Sequence, residues 1–186
     1  MKKLIVCLAA VLVSIGAMAE TKSLATTDTK PFNLSITPDI AIYGRNVMIE
    51  GLTLSIWGEN QQTSLALGIV NGTTGNSAGL DWGCVNYAEN YKGVKWSFVN
   101  YTKQNTLGWD AGFVNYTGGT MRGLYTGAVN YVDHLKGLEF GFINYVDNSD
   151  TGFQIGIINI IHNNKSWFSD LPNSLAPVMI FVNWRF

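Results

Sequence analysis

Along most of the chain, apolar and polar side chains alternate with a period of two. One set reads Leu80, Trp82, Cys84, Asn86, and the residues between them read Asp81, Gly83, Val85, Tyr87. The pattern returns as Val94, Trp96, Phe98, Asn100 against Lys95, Ser97, Val99, Tyr101, then from Leu138 to Asn144 and from Phe153 to Asn159. Alternation with β-branched and aromatic residues predicts strands, each with one side apolar up to its closing Asn. No long stretch reads as an amphipathic helix. Between the strands lie Ala88-Glu89-Asn90, Lys103-Gln104-Asn105, Gly118-Gly119, Asp133-His134 and Asp147-Asn148-Ser149-Asp150. These predict turns, because Gly and Asn accept positive φ and Asp caps its own backbone.

The strands are copies of one unit. Asparagine recurs at Asn71, Asn86, Asn100, Asn115, Asn130, Asn144 and Asn159, at intervals of 14 or 15 residues. Three residues before each stands glycine, with Ser97 the exception, and seven before stands glycine again, with Ser64 the exception. The preceding residue is always Val or Ile, and the next is usually Tyr, as in Tyr87, Tyr101, Tyr116, Tyr131 and Tyr145. A repeat this regular governs every other reading of the chain. A degenerate copy precedes the array at Gly51 to Gly58, so the repeats cover about residues 49–161. Phe32 to Tyr43 adds one or two strand-like pieces interrupted by Pro38, and a closing strand occupies about 176–186.

Composition narrows the function classes. Only 13% of the 186 residues are charged, against about 25% in ordinary soluble domains. That excludes a charged coiled coil, a disordered tail and a basic nucleic-acid binder. Lys2 and Lys3, the apolar run Leu4 to Gly16 and the sequence Ala17-Met18-Ala19 form a secretory signal peptide over residues 1–19. The apolar run is shorter than the ~20 residues a spanning helix needs. Residues 20–186 then form one domain with ten basic and thirteen acidic residues and the single cysteine Cys84, so no intramolecular disulfide can form in an exported protein.

The chain ends Val178-Met179-Ile180-Phe181-Val182-Asn183-Trp184-Arg185-Phe186. Alternating apolar residues with Trp184 two places before a terminal Phe186 resemble the C-terminal signal of bacterial outer-membrane β-barrels. The repeat resembles that of bacterial exported surface-repeat proteins, whose units read roughly G-L-Q-x-G-L-V-N. Gly79-Leu80-Asp81-Trp82-Gly83-Cys84-Val85-Asn86 and Gly152-Phe153-Gln154-Ile155-Gly156-Ile157-Ile158-Asn159 carry the likeness. Asp, Lys, Tyr or Glu stands in other copies where Gln is usual. The resemblances imply an exported protein of the outer membrane or cell surface, membrane lipid as a partner, and the barrel-assembly machinery as another.

The expected fold is all-β, an antiparallel up-and-down meander closed into a small barrel of 8–10 strands. Closure removes sheet edges. Its apolar face meets lipid, and Asp81, Lys95, Asp110, Arg122, Glu139 and Gln154 line a narrow lumen, where ion pairing satisfies a polar interior. The alternative is a β-solenoid of 14–15-residue repeats, with the apolar face as its core and the asparagines stacked as a hydrogen-bonded ladder. A strand of about nine residues returns to its start within one repeat only if it bends, for example at the central Gly. Aligning Asn183 with the repeat asparagines puts Val182 and Trp184 on the side assigned to the interior.

No motif for catalysis, phosphate binding, metal binding or a cofactor occurs. His134 and His162 sit in turns as solvated residues, and the tyrosine series reads as structural, with stacking on sugars as the alternative. The expected function is that of a small non-enzymatic outer-membrane or surface protein with a structural or interaction role. A narrow pore or small-ligand carrier is one alternative, and a secreted β-solenoid that binds a polymer or surface is another.

Overall fold

Each repeat folds as two short strands that meet at a bend, and successive repeats stack in parallel register. The computed structural model describes residues 28–186. The signal-peptide expectation lies outside the described residues. Ten strands form one continuous sheet: β1 (Asp28–Thr37), β2 (Ile40–Ala41), β3 (Val47–Asn60), β4 (Gln62–Trp82), β5 (Val85–Trp96), β6 (Val99–Thr102), β7 (Thr106–Ala111), β8 (Val114–Thr126), β9 (Val129–Ile161) and β10 (Val178–Arg185). Asn71 lies opposite Asn86, Asn86 opposite Asn100, Asn100 opposite Asn115, and Asn115 opposite Asn130, always parallel. The chain therefore winds as a β-solenoid of about eight coils, and the antiparallel barrel is overturned.

The physical reason lies in the period. Parallel stacking at 14–15 residues brings like residues into contact at every level. An antiparallel meander would send successive asparagines to opposite rims. The bend that a coil requires falls at Gly83-Cys84, Ser97-Phe98, Gly112-Phe113 and Gly127-Ala128. Its backbone groups stay satisfied by neighbouring coils, with Cys84 N–H donating to the Ile69 carbonyl at 2.9 Å and Phe98 N–H to that of Cys84 at 3.0 Å. Gly112 leaves space at this corner, since a Cβ there would stand 2.7 Å from the Ser97 carbonyl oxygen.

The bend also changes which side of the chain faces inward. Before it, Asp81, Lys95, Asp110, Tyr125, Glu139 and Gln154 point into the core while Trp82, Trp96 and Phe140 point out. After it, the asparagines point in and Val and Tyr lie on the opposite side, where Tyr87, Val99 and Val114 pack into a small buried cluster. Two expectations fail here. Asn does not share a face with Leu, Trp and Cys, and the apolar face is not the solenoid core. The core is narrow and mostly polar toward the N-terminal end. An apolar cluster of Met121, Tyr125, Val132, Leu135 and Val146 fills it further along. These side chains occupy the interior, so the pore and carrier reading has no lumen among the described residues.

Both ends are closed by reversed segments. β2 pairs antiparallel with β1. β10 pairs antiparallel with the end of β9, and Ser174 forms an antiparallel bridge to Arg185. Capping terminal coils in this way blunts the open edges through which solenoids polymerise. The reversal of β10 explains the mismatch at the C-terminus. Asn183 lies opposite Gln154 and is buried, so Val182 and Trp184 join the outer face opposite Ile155 and Phe153. Trp184 stacks on Phe153 with ring centroids 6.4 Å apart, and Phe186 is exposed. The terminal strand caps a solenoid rather than closing a barrel.

Candidate interaction surface

The repeat asparagines form an unbroken buried ladder. Asn71 Nδ2 donates to Asn86 Oδ1 at 3.0 Å, Asn86 to Asn100 at 3.2 Å, Asn100 to Asn115 at 2.9 Å, and Asn115 to Asn130, Asn130 to Asn144 and Asn144 to Asn159 at 2.8 Å each. The second amide proton of most rungs goes to a carbonyl across the coil, as from Asn115 to Thr126 at 3.1 Å and from Asn144 to Ile155 at 2.9 Å. Buried amides are tolerated because nearly every donor and acceptor is used. Ser97, the exception to glycine, fits because its hydroxyl donates to Asn100 Oδ1 at 2.8 Å. The ladder holds coils together and offers nothing to a ligand.

Five of the six residues expected to line a lumen share one inner column instead. Lys95 Nζ lies 3.1 Å from an Asp110 carboxylate oxygen, with both side chains fully buried. Gln154 Nε2 donates to Glu139 at 2.7 Å, and Gln62 Nε2 to Asp81 at 3.3 Å. Arg122 is the exception and stands on the outside. Burial pushes the Asp81 carboxyl up to about 7, with Lys95 offsetting part of the effect. Burial likewise pushes Glu139 up to about 8, against a smaller opposite effect of the bond from Gln154.

These shifts set the pH dependence of folding. The folded chain holds the Glu139 and Asp81 protons more tightly than the unfolded chain. Their contribution is complete below the unfolded values of 4.5 and 3.8 and is lost as pH rises toward about 8 and about 7. The expected slope approaches ~1.4 kcal/mol per pH unit for each group inside its window. Urea unfolding between pH 5 and 8 should show stability falling as pH rises, and Glu139→Gln should flatten the upper part of that fall. Asp150, held down to about 2 by Lys136 and His134, titrates well below this range.

The outer face before and at each bend is apolar over nearly the whole length of the solenoid. One column runs through Leu65, Leu80, Val94, Trp109, Leu124 and Leu138. The next runs through Leu34, Leu54, Leu67, Trp82, Trp96, Ala111, Thr126 and Phe140. A third follows the bends through Ile69, Cys84, Phe98, Phe113, Ala128 and Phe142. None of these residues is charged. Trp82 and Trp96 are 58% and 57% exposed and stack at 5.9 Å, while Phe98 and Phe113 are 61% and 51% exposed and stack at 5.1 Å. At ~4.8 Å between coils and ~6.8 Å between alternate residues, the columns cover roughly 40 by 17 Å, about 700 Å². The largest apolar patch on a typical monomer is about 300–600 Å² and is often functional.

The two long edges of this face differ. On one, the residue before each repeat glycine points out: Lys92, Leu107, Arg122 and Lys136 lie in register on consecutive coils. Lys136 pairs with Asp150 at 2.8 Å, whereas Lys92 and Arg122 have no ion-pair partner among the described residues. Beyond the other edge, Tyr101, Tyr116, Tyr131 and Tyr145 stack at 5.0–5.1 Å, and Tyr131 and Tyr145 donate to the Asp147 carboxylate at 2.7 and 2.9 Å. His134 contacts Asp150 at 3.1 Å and His162 is exposed. The two histidines share no site. Among the described residues, no group of three or more His, Cys, Asp or Glu side chains is placed to hold a metal ion.

Neither family models, nor curated proteins, nor solved structures match this chain. The exposed face therefore rests on its own chemistry. Alternation singled out Leu80, Trp82, Cys84, Val94, Trp96, Phe98, Leu138, Phe140 and Phe142 within it, but not Lys92 or Leu107. The signal was their constant place, one residue before the repeat glycine.

Proposed function

We propose that the chain is an exported, non-enzymatic β-solenoid that lies on a membrane surface through its apolar face. The observation that carries this reading is the exposed apolar face, uncharged along its three columns, on a protein whose core is polar over much of its length. Removing about 700 Å² of apolar surface from water is worth on the order of 15 kcal/mol at ~25 cal/mol per Å², an upper bound. Trp within the face, Tyr beyond one edge and cations along the other are the side chains favoured at a bilayer interface. A sugar polymer fits less well, because the face offers few hydrogen-bond donors, and the Trp109 indole is already bonded to Thr126 at 2.9 Å. The protein rests in the interface and does not cross it, since its polar turns and capped ends could not be satisfied in hydrocarbon. The resemblance to exported surface-repeat proteins agrees with this placement.

One observation favours a second reading. Two such faces packed together would bury roughly 1,400 Å², within the range of a standard interface. Flotation with phosphatidylcholine vesicles, run beside sedimentation equilibrium, separates the two. Wild-type protein should float, and Trp96→Glu with Phe142→Glu should reduce partitioning at least ten-fold without changing the circular dichroism, because both side chains point outward. A dimer that ignores vesicles and dissociates on the same substitutions establishes the second reading. A monomer that stays in the aqueous phase defeats both.

A further inference from the structure

The basic edge of the apolar face holds a groove of about 400 Å³ whose lining includes Asn76, Asn90, Lys92, Asn105, Leu107 and Arg122. Its position follows from the repeat. Lys92, Leu107 and Arg122 occupy the same place on three consecutive coils, so the two cations stand on either side of Leu107. Two coil spacings separate their backbones by ~10 Å. That span lets both side chains converge on one group above Leu107. The turn asparagines are largely occupied with one another and with Gln104, as Asn105 Nδ2 donates to Asn90 Oδ1 at 3.0 Å and Asn90 Nδ2 to Gln104 at 3.1 Å. Recognition in the groove therefore falls to the ammonium and the guanidinium. An arginine fork and a lysine point charge together suit a tetrahedral oxyanion.

We infer that this groove binds the phosphate of an anionic phospholipid headgroup, with Lys92 and Arg122 as its ligands and Leu107 against the glycerol end. The inference rests on the membrane-surface reading and adds headgroup selectivity to it. The apolar face lies directly beside the groove, so a lipid phosphate held there has its acyl chains on the side where Leu80, Val94 and Trp109 present apolar surface. A free phosphate ion would gain nothing from that adjacency. Each cation near an anionic bilayer contributes roughly a five-fold gain in binding, so the pair contributes about 25-fold.

The test compares the full chain on vesicles of phosphatidylcholine and on vesicles with one third phosphatidylglycerol, at a fixed ionic strength of about 0.1 M so that screening is constant. Wild-type protein should prefer the anionic vesicles by about 25-fold. Lys92→Gln with Arg122→Gln should abolish most of that preference, with a much smaller loss of binding on phosphatidylcholine vesicles. Equal preference in variant and wild type overturns the assignment of the groove. Failure to bind either vesicle removes the membrane-surface reading and the inference with it. A third arm titrates inorganic phosphate while NMR follows the Lys92 and Arg122 side chains. Saturation at low millimolar phosphate without any vesicle preference would make the groove a site for the free ion and overturn the lipid assignment.

Discussion

Gly108→Ala is expected to cost about 4 kcal/mol or more, a large part of the stability of a domain. Gly108 has φ +143°, a conformation that side chains rarely adopt. A Cβ there would also stand 1.9 Å from the Gly93 carbonyl oxygen of the coil beside it. Neither problem relaxes locally. Turning the residue to negative φ breaks its place in the stack, and the obstructing atom is backbone on a coil tied to its own neighbour. Strained φ alone costs about 1–3 kcal/mol, and the steric overlap adds to it, against a total stability of about 5–15 kcal/mol for typical domains. Circular dichroism during urea unfolding measures the loss. Gly44→Ala is the control, because its Cβ would meet nothing closer than 3.4 Å, and it should shift stability by less than about 0.5 kcal/mol.

Asn115→Leu is expected to cost about 3–5 kcal/mol and to split unfolding into two steps. Asn115 is a central rung of the ladder. It accepts from Asn100 at 2.9 Å and donates to Asn130 at 2.8 Å and to the Thr126 carbonyl at 3.1 Å. Leucine leaves a donor on Asn100 and acceptors on Asn130 and Thr126 buried without partners, at about 1–3 kcal/mol each before relaxation. Stability in a solenoid is the sum of coil terms and coupling between neighbours, so a central break weakens the coupling between its halves. Asn159→Leu, at the end of the repeat ladder, should cost less. Tyrosine fluorescence and far-ultraviolet circular dichroism followed together would report coincident transitions in wild type and separated ones in Asn115→Leu. Coincident curves in the variant would contradict the ladder's role in coupling.

The alternation that predicted strands was correct in kind and wrong in its continuity. Leu80, Trp82 and Cys84 do share an outward face, and Asp81 does point inward. The reading failed at one place per repeat, the glycine-containing bend, where the chain turns a corner and Asn86 swings inward. Alternation assumes a straight strand, and no local signal distinguishes a glycine that spaces a strand from one that bends it. The barrel reading put Asp81, Lys95, Asp110, Glu139 and Gln154 inside, and the solenoid also buries them, but in a packed core and not in a lumen. Its error was the direction of the next strand. Arg122 was misplaced for a related reason, since it was grouped by its charge and not by its offset from the repeat glycine.

The sequence by itself determined the unit: a 14–15-residue β repeat with two glycine positions, an asparagine, and one apolar side. These are local properties of spacing and side-chain chemistry. It also determined that a polar set and an apolar set would segregate. Only the tertiary structure decided that neighbouring repeats run parallel, and that choice turned the asparagines into a ladder and brought Lys92, Leu107 and Arg122 into one groove. The physical reason is that pairing direction depends on how the buried amides of one coil are satisfied by the next. That energy belongs to contacts 14 or 15 residues apart, and it comes into being only when the coils are stacked.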